Sequence, residues 1–272
     1  MDSRELSYFV AVAEELNFGR AAARLGIAQP PLSRAVQQLE RRLGVTLFTR
    51  TSRQVTLTAA GEVLLQEGRK ALTALTAAER RTQRAGTRLV LALKPYSDGG
   101  LLEKILAEYA ATPDPVEVEV LICGIAEQAK VLREGEADAA LLRFPHDDTE
   151  GFAYEELMTE PDALVIPRTH RFADRASVTM AELCGEQFPQ WPGHPPNGGP
   201  LVRDSTQLQQ LIALGRTIAM LPASTEHHLG KELTYVPVSD APTSTLAIAW
   251  AEDSRSKPLA AFIQAAVRCA QR

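Results

Sequence analysis

Cysteine is scarce in the sequence, and its few copies are not spaced for a shared site. Cys123, Cys184 and Cys269 lie far apart among 272 residues, and no Cys-x-x-Cys pair occurs. This pattern argues against a disulfide framework or a zinc cluster and is typical of a reduced cytoplasm. No run approaches the roughly 18 consecutive apolar residues of a transmembrane helix. The stretch MDSRELSYFV carries charges where a signal peptide needs an unbroken apolar core. We therefore expect a cytoplasmic protein with no membrane partner.

Motifs of the common enzyme classes are also missing. The chain has no G-x-S-x-G, H-E-x-x-H, P-loop or G-x-G-x-x-G sequence, although each of these marks a familiar catalytic or nucleotide site. Cys123 follows a predicted strand as a lone thiol, and we interpret it as buried packing. His227 and His228 are adjacent, so on a helix they diverge and do not suit a shared metal. An enzyme with a regulatory domain remains an alternative that no motif supports. We expect no catalytic residue, cofactor or metal.

The formal net charge of −5 hides an uneven distribution. Residues 1–88 contain 14 Lys and Arg against 8 Asp and Glu, whereas residues 89–272 contain 15 against 26. A basic front on an acidic body confines attraction for phosphate to the first third of the chain. The charge distribution therefore indicates a nucleic-acid partner for the N-terminal part alone.

The apolar spacing and the capping residues of the first sixty residues predict three short helices. Apolar residues recur at three and four positions over residues 4–16, which predicts an amphipathic helix. Asn17 is a candidate N-cap for a second helix over Phe18–Leu25, which ends at Gly26. A third helix begins at the Gln-Pro-Pro of residues 29–31, because proline suits a first helical turn whose N–H groups lack intrahelical partners.

The third helix has two contrasting faces. Leu32, Val36, Leu39 and Leu43 step by four, three and four, and so predict a buried stripe. The other face begins with short, hydrogen-bonding and cationic side chains. Such a face suits a major groove, because Gln and Arg each make bidentate contacts with base edges. These candidate DNA contacts are Gln29, Pro30, Pro31, Ser33, Arg34 and Gln37.

A polar tip between apolar flanks follows this helix. Leu47, Val55 and Leu57 flank residues 49–53, and this pattern predicts a two-stranded wing. An arginine at a wing tip can enter the minor groove, where the phosphate potential is focused, and Arg53 is the candidate. The neighbouring arginines that we interpret only as general electrostatic contributors are Arg41, Arg42 and Arg50.

The run LNFGRAAARLGIAQPPLSRAVQQLERRLGVTLFTRTSRQVTLTAAG resembles the N-terminal domain of LysR-type transcriptional regulators. The family pattern combines F-x-R-A-A, Q-P-x-[LV]-S-x-x-[IV]-x-x-L-E, L-G-x-x-L-F-x-R and L-T-x-A-G, and all four occur here in order. The resemblance implies a winged helix-turn-helix over residues 1–58 that binds double-stranded promoter DNA. The family's DNA contacts carry over to Gln29, Pro30, Ser33, Arg34 and Arg53, with Arg20 as a phosphate contact.

A long helix is predicted over residues 58–86, with Thr58 as a candidate N-cap. Good helix formers fill it, and Leu65, Gly68, Leu72 and Leu75 repeat at three, four and three. An exposed helix of this length needs a partner for its apolar stripe, which favours dimerisation. The alternative is packing on its own effector domain. The resemblance implies a linker, residues 59–87, that pairs with a second subunit in a homodimer or homotetramer.

Beyond this linker, strands and helices alternate. The strands predicted over 89–93, 116–122 and 139–142 enclose helices over 101–111 and 125–134, a βαβαβ order that favours a parallel sheet. Further strands are predicted over 163–166, 217–221 and 246–250. Further helices are predicted over 205–214 and 259–270.

This portion, residues 88–272, resembles the effector-binding domain of the family, which has the fold of type 2 periplasmic binding proteins. The implied fold class is α/β, with two lobes and a small molecule between them. We expect lobe I over 89–159 plus 252–272, and lobe II over 160–251. The family usually has a longer segment containing a helix where this chain has the Pro/Gly-rich residues 188–204. We therefore expect a shortened lobe II. Within this segment, Trp191 either caps the ligand or fills the space of the missing helix.

Ligands of parallel sheets lie at the carboxyl ends of strands, near helix N-termini. Three basic side chains, Lys94, Arg143 and Arg203, favour an anionic effector such as a carboxylate. The function predicted is a LysR-type regulator controlled by that effector. The alternative is an effector-independent DNA-binding regulator whose C-terminal domain serves oligomerisation. The candidate effector-binding residues are Lys94, Ser97, Gly124, Gln128, Arg143, Glu160, Arg203 and Ser205.

Overall fold

The computed structural model describes residues 1–51 and 54–271. The chain divides into two units, Met1–Glu79 and Arg80–Arg272, and the division lies inside the predicted linker. The elements up to that linker are α1 (Ser3–Glu15), α2 (Phe18–Arg24), α3 (Gln29–Leu43), β1 (Phe48–Arg50), β2 (Val55–Leu57) and α4 (Ala59–Arg84).

The short helices begin and end at residues that favour helix caps. Asn17 caps α2 as predicted, since its side-chain oxygen accepts a hydrogen bond from the Arg20 amide at 3.0 Å. Gly44 ends α3 in the left-handed region, with φ of 70°, which costs glycine nothing because it has no Cβ. The three predicted helices and the antiparallel wing of β1 and β2 are therefore confirmed.

The N-terminal core forms where α3 packs against α1 and α2. Leu32, Val36 and Leu39 are almost fully buried, together with Phe9 of α1. Leu43, predicted as the fourth member of this stripe, is instead 42% exposed. It lies in the last turn before Gly44 and outside the core cluster. The buried stripe of α3 therefore ends at Leu39, one turn earlier than the spacing of its leucines predicted.

A single carboxylate ties the wing to α3. Glu40 accepts hydrogen bonds from the backbone amides of Leu47 at 2.8 Å and Phe48 at 3.2 Å. Its second oxygen lies 3.0 Å from Arg50 Nη2. Thr58 adds to this connection, because its hydroxyl donates to the Thr46 carbonyl and accepts from the Gly61 amide at the start of α4. The predicted N-cap role of Thr58 is thus confirmed.

The first part of α4 packs against its own N-terminal unit. Leu65 and Leu72 contact the core there. Gly68 is buried so closely that an added Cβ would lie 2.9 Å from Leu6 Cδ1. These three residues belong to the stripe that the sequence assigned to a partner subunit, and the core of their own N-terminal unit covers part of it. The large apolar side chains of α4 left exposed are Val63, at 63%, and Leu75, at 45%.

The elements of the C-terminal unit are β3 (Arg88–Leu93), α5 (Leu102–Ala110), β4 (Glu117–Ile122), α6 (Gln128–Arg133), β5 (Ala139–Phe144), β6 (Phe152–Pro167), α7 (Ser205–Ala213), β7 (Ala219–Pro222), β8 (Leu233–Pro237), β9 (Thr243–Ala251) and α8 (Lys257–Ala270), with 3-10 turns at Met180–Leu183 and Ala223–His228. The strands form one mixed sheet in the order β4-β3-β5-β9-β6-β7, with β8 also paired to β6. The β3–β4 and β3–β5 pairs are parallel, as predicted.

The two lobes share one continuous strand. The first part of β6, to Pro161, pairs with β9, and residues 162–167 pair with β7 and β8. The predicted lobe boundary at 159/160 therefore falls inside a strand. Polar residues and a proline interrupt the apolar pattern at this boundary. The sequence therefore predicted a strand only over 163–166, which is the second part of β6. The placement of 243–251 in lobe II was wrong, because β9 lies between β5 and β6 in the sheet of lobe I.

The end of α4 is anchored to the sheet of lobe I. Arg84 donates from Nη2 to the Gly135 carbonyl at 2.6 Å and lies 3.1 Å from Asp138 Oδ1. The other oxygen of Asp138 accepts the Val90 amide of β3 at 2.8 Å. One aspartate thus joins the helix end to the first strand of the sheet.

The segment 188–204 forms no helix, as predicted from its proline and glycine content. It is organised by Gln190, whose Nε2 donates to the carbonyls of Trp191 at 3.0 Å and His194 at 2.8 Å. Its Oε1 accepts the Asn197 amide at 2.7 Å. One side chain therefore replaces part of the backbone bonding that a helix would supply.

No helix among the described residues is both long enough and apolar enough to cross a membrane.

Replacing Glu40 with alanine should loosen the wing. The substitution leaves two buried backbone N–H groups without acceptors, which costs about 1–3 kcal/mol. Hydrogen exchange of the amides in residues 46–50, followed by mass spectrometry on the full chain, should show this loss of protection. Glu67→Ala, which removes an exposed pair with Lys70, should cost about 0.5 kcal/mol or less. Equal protection in the two variants would contradict the role of Glu40.

Candidate nucleic-acid interface and ligand cavity

The outward face of α3 carries the predicted DNA contacts. Gln29, Pro30, Pro31, Arg34 and Gln37 are exposed and Ser33 is partly exposed. The opposite face is buried in the core. Within residues 1–51 and 54–271, Arg34 forms no ion pair, so its guanidinium is not committed to a protein carboxylate. The helix thus presents amide, hydroxyl and guanidinium groups together on one solvent-facing edge.

The other predicted contacts are placed differently. Arg20 is exposed but lies 3.2 Å from Glu15 Oε2, so a phosphate would have to compete with this carboxylate. Arg53 lies outside the described residues. Arg50, which the sequence left as a general electrostatic contributor, pairs with Glu40 and lies 4.7 Å over the Phe18 ring. Its role is structural.

A cavity of about 170 Å³ lies between the two lobes of the C-terminal unit. Four of the predicted effector-binding residues line it, namely Lys94, Ser97, Arg143 and Ser205. Sequence reasoning missed several other residues of its wall, because they lie in loops or on strands whose register it did not assign. The main ones are Tyr96, His146, Asp147, Asp162, Pro192, His194, Met220 and Leu221.

The other four predicted residues do not line this cavity. Gln128 is fully buried inside lobe I, where its Nε2 faces the Leu141 carbonyl at 3.5 Å. Arg203 is exposed. Gly124 lies where the lobes meet, and an added Cβ would contact both Glu127 and the Arg203 carbonyl. Glu160 acts through Arg143 instead of lining the wall.

Both basic side chains of the cavity are already paired. Lys94 Nζ lies 2.7 Å from Asp147 Oδ2, and Arg143 Nη2 lies 2.7 Å from Glu160 Oε1. Asp147 also accepts the Arg143 backbone amide at 2.7 Å. All four side chains are largely buried. The free cations that suggested an anionic effector are therefore neutralised by neighbouring carboxylates.

Arg143 nevertheless retains unused donors. Its side chain is 4% exposed. Among the described residues, neither its Nε nor its Nη1 has a hydrogen-bond partner. Buried N–H groups of this kind are rare, because leaving one unpaired costs free energy. Arg143 thus borders the cavity with two N–H groups that are buried and unpaired among the described residues.

Direct contacts bring the lobes together beside the cavity. The Ile125 amide donates to the Arg203 carbonyl at 2.8 Å, and Ser205 Oγ donates to the Pro95 carbonyl at 3.2 Å. Tyr96 stacks on His228, with ring centroids 4.9 Å apart. These contacts hold the two lobes in one arrangement around the cavity.

Trp191 takes part both in the cavity wall and in the packing of lobe II. It lines the cavity, and it packs against the lobe II core that contains Val202 and Leu208. The loop that lacks a helix therefore contributes an aromatic wall as well as a packing element.

Comparison with known proteins identifies the two parts of the chain. Residues 3–62 match the family described as "Bacterial regulatory helix-turn-helix protein, lysR family". Residues 82–270 match the LysR substrate binding domain. The chain belongs to the LysR family. LysR-family members are DNA-binding transcriptional regulators with an effector-binding domain, and they are not enzymes.

Curated LysR-family relatives align over most of their length. The HTH-type transcriptional regulator AlsR of Bacillus subtilis is 32% identical over 86% of this chain and 85% of its own. The Hca operon transcriptional activator HcaR of Escherichia coli is 31% identical over 97% of this chain and 96% of its own.

Solved LysR-family structures share the fold. CbnR aligns with a TM-score of 0.65 at 24% identity and full coverage of both chains. Full-length CbnR complexed with its target DNA aligns with a TM-score of 0.54 at 25% identity, over 99% of this chain and 100% of that one. The N-terminal helix-turn-helix and the C-terminal substrate-binding fold are therefore confirmed.

Cys123 should be the slower of two cysteines to alkylate. Burial, together with the negative charges of Glu127 and Glu136, raises the pKa of the Cys123 thiol. Less of it is thiolate at neutral pH, and the thiolate is the nucleophile. Iodoacetamide treatment of the native chain followed by peptide mass mapping should modify exposed Cys184 well before Cys123. Faster modification of Cys123 would indicate an activated thiol and would reverse our interpretation.

Proposed function

We propose that this LysR-family regulator reads promoter DNA with the outward face of α3 and adjusts that binding in response to a small molecule held between its lobes. The observation that carries the proposal is the separation of faces on α3. Its buried stripe fixes the helix, while Gln29, Arg34 and Gln37 are exposed and Ser33 is partly exposed. The DNA complex of CbnR supports the same use of this fold.

The roles that we propose for individual residues follow from their exposure. Arg34 and Gln37 would contact base edges, and Pro30 and Pro31 would let the first turn approach the groove. Arg20 would contact phosphate after leaving Glu15, and Arg53 would reach the minor groove from the wing. The proposed division of labour is 1–58 for DNA binding, 59–87 for linkage, and 88–272 for effector binding.

The coupling that we propose needs two arrangements of the lobes. A ligand shifts a conformational equilibrium only through its different affinity for the two states. In the cavity, Lys94, Ser97, Arg143 and Ser205 come from both lobes, so a ligand that touches them senses how far the lobes are closed. The altered arrangement would then change how subunits of a homodimer or homotetramer present their recognition helices. We place this regulator in the cytoplasm.

Arg34→Ala should weaken and relax sequence recognition. Loss of a bidentate base contact costs about 1–3 kcal/mol of discrimination. Fluorescence anisotropy would compare a duplex enriched by the wild type from a random library with a scrambled duplex, across a salt series. Arg41→Ala, on the same helix but away from its leading edge, should weaken both duplexes equally and by less. Full affinity and selectivity in Arg34→Ala would refute the assignment.

The double variant Val63→Glu/Leu75→Glu should lower the subunit count. Both side chains are exposed on α4, so two carboxylates there would oppose an apolar interface without disturbing the chain's own core. Light scattering coupled to gel filtration would measure the mass. Gln66→Glu, at an exposed polar position of the same helix, should keep the wild-type mass. An unchanged mass in the double variant would exclude these two exposed positions of α4 from the interface.

A further inference from the structure

Building on the proposed effector-controlled function, we infer that the effector is a compact, uncharged and mainly apolar molecule with a single hydrogen-bond acceptor for Arg143. The sequence favoured an anion because it showed basic residues at strand ends. In the structure, carboxylates pair with Lys94 and Arg143. The cavity wall holds a further carboxylate, Asp162, which disfavours an anionic ligand.

The charges around the cavity do not favour a buried anion. Lys94 and Arg143 are opposed by Asp147 and Glu160 at 2.7 Å each. A third carboxylate, Asp162, lines the cavity and is 4% exposed. It accepts a hydrogen bond from Ser244 Oγ at 2.9 Å, and His146 Nε2 lies 3.8 Å from it. An anionic ligand would lose its hydration beside two carboxylates of the wall, Asp147 and Asp162, with neither Lys94 nor Arg143 free to compensate.

The walls and the size of the cavity suit a small apolar body. Its volume of about 170 Å³ is below the roughly 300–1,000 Å³ of pockets for drug-sized ligands. Aromatic and aliphatic side chains approach it from both lobes, and an aromatic ring between them would gain contact area at low conformational cost. The apolar residues that make up these walls are Tyr96, Ile125, Trp191, Leu208, Met220 and Leu221.

The unused nitrogens of Arg143 specify how a polar group would bind. A carboxylate binds a guanidinium best through two parallel N–H groups. Both of the edges that offer such pairs, Nε/Nη2 and Nη1/Nη2, include Nη2. That nitrogen already faces Glu160 at 2.7 Å, Ser224 Oγ at 3.4 Å and the Ser97 carbonyl at 3.5 Å. Only Nε and Nη1 lack a partner among the described residues, and both atoms are buried. Each would serve a single acceptor, such as a carbonyl oxygen, once a shift of the lobes or of the Arg143 side chain opens it to the cavity.

Three probes of matched shape test this inference on the full chain. Acetophenone is uncharged and offers a carbonyl acceptor, benzoate is the corresponding anion, and isopropylbenzene has no acceptor. Binding to the folded state raises the unfolding midpoint, and Trp191 in the cavity wall provides a fluorescence signal for titration. We expect acetophenone to bind at least about tenfold more tightly than either of the others.

A variant of the opposing carboxylate makes the charge argument specific. Glu160→Gln leaves the Arg143 charge uncompensated, so benzoate should gain affinity relative to acetophenone. Asp148→Asn removes an exposed carboxylate that pairs with Arg133 away from the cavity, and it should keep the wild-type ratio. If Glu160→Gln does not fold, the order of the three probes by affinity for the wild-type protein still tests the inference.

Each remaining outcome overturns the inference in a different way. Benzoate binding most tightly would show that the cations remain available to an anion. Equal binding of isopropylbenzene and acetophenone would remove Arg143 from ligand recognition, and no binding by any probe would remove the apolar cavity as the site. The salt dependence of DNA binding, measured on the same preparation, separates these results from the proposed function. Its loss would refute DNA regulation itself, whereas its presence would confine the failure to the effector class.

Discussion

The Glu160 carboxylate is the interaction on which the arrangement of the C-terminal unit depends. It lies on β6, the strand shared by both lobes, and forms an ion pair with Arg143 of lobe I. The same carboxylate accepts the Ser224 amide at 2.6 Å and the Ser224 hydroxyl at 2.8 Å, both in lobe II. A buried charge stripped of its partner is strongly destabilising. The lobes therefore cannot separate at this point without exposing Arg143 to another acceptor or to water.

Periodicity and turn chemistry made much of the fold predictable. The α1–α3 stripe, the Asn17 and Thr58 caps, the wing and the βαβαβ order all rest on local patterns. Such local patterns predict the elements correctly because each element must bury its own apolar side. They fail where tertiary contacts decide. Leu43 has the right spacing but is 42% exposed, and Leu65 and Leu72 pack in part against the core of their own N-terminal unit.

The candidate site was predictable in position but not in charge. The carboxyl-end rule located Lys94, Ser97 and Arg143 correctly at the cavity. It gave no account of Asp147, which lies in a loop four residues after Arg143 and pairs with Lys94 from there. Residue type alone also misplaced Gln128, whose amide turns into the core of lobe I. Pairing of charges is a property of three-dimensional neighbours, so the sequence could list the cations without showing that they were neutralised.

In the loop at residues 188–204, Pro192 and His194 line the cavity without belonging to the lobe II core. The loop backbone is held largely by the side chain of Gln190, while the lobes rest on the sheet and on α7. Substitutions at Pro192 or His194 would therefore reshape the cavity wall while leaving the sheet intact. Natural selection could retune ligand preference here in small steps, and duplicated copies of such a gene could diverge toward new signals without first acquiring compensating mutations.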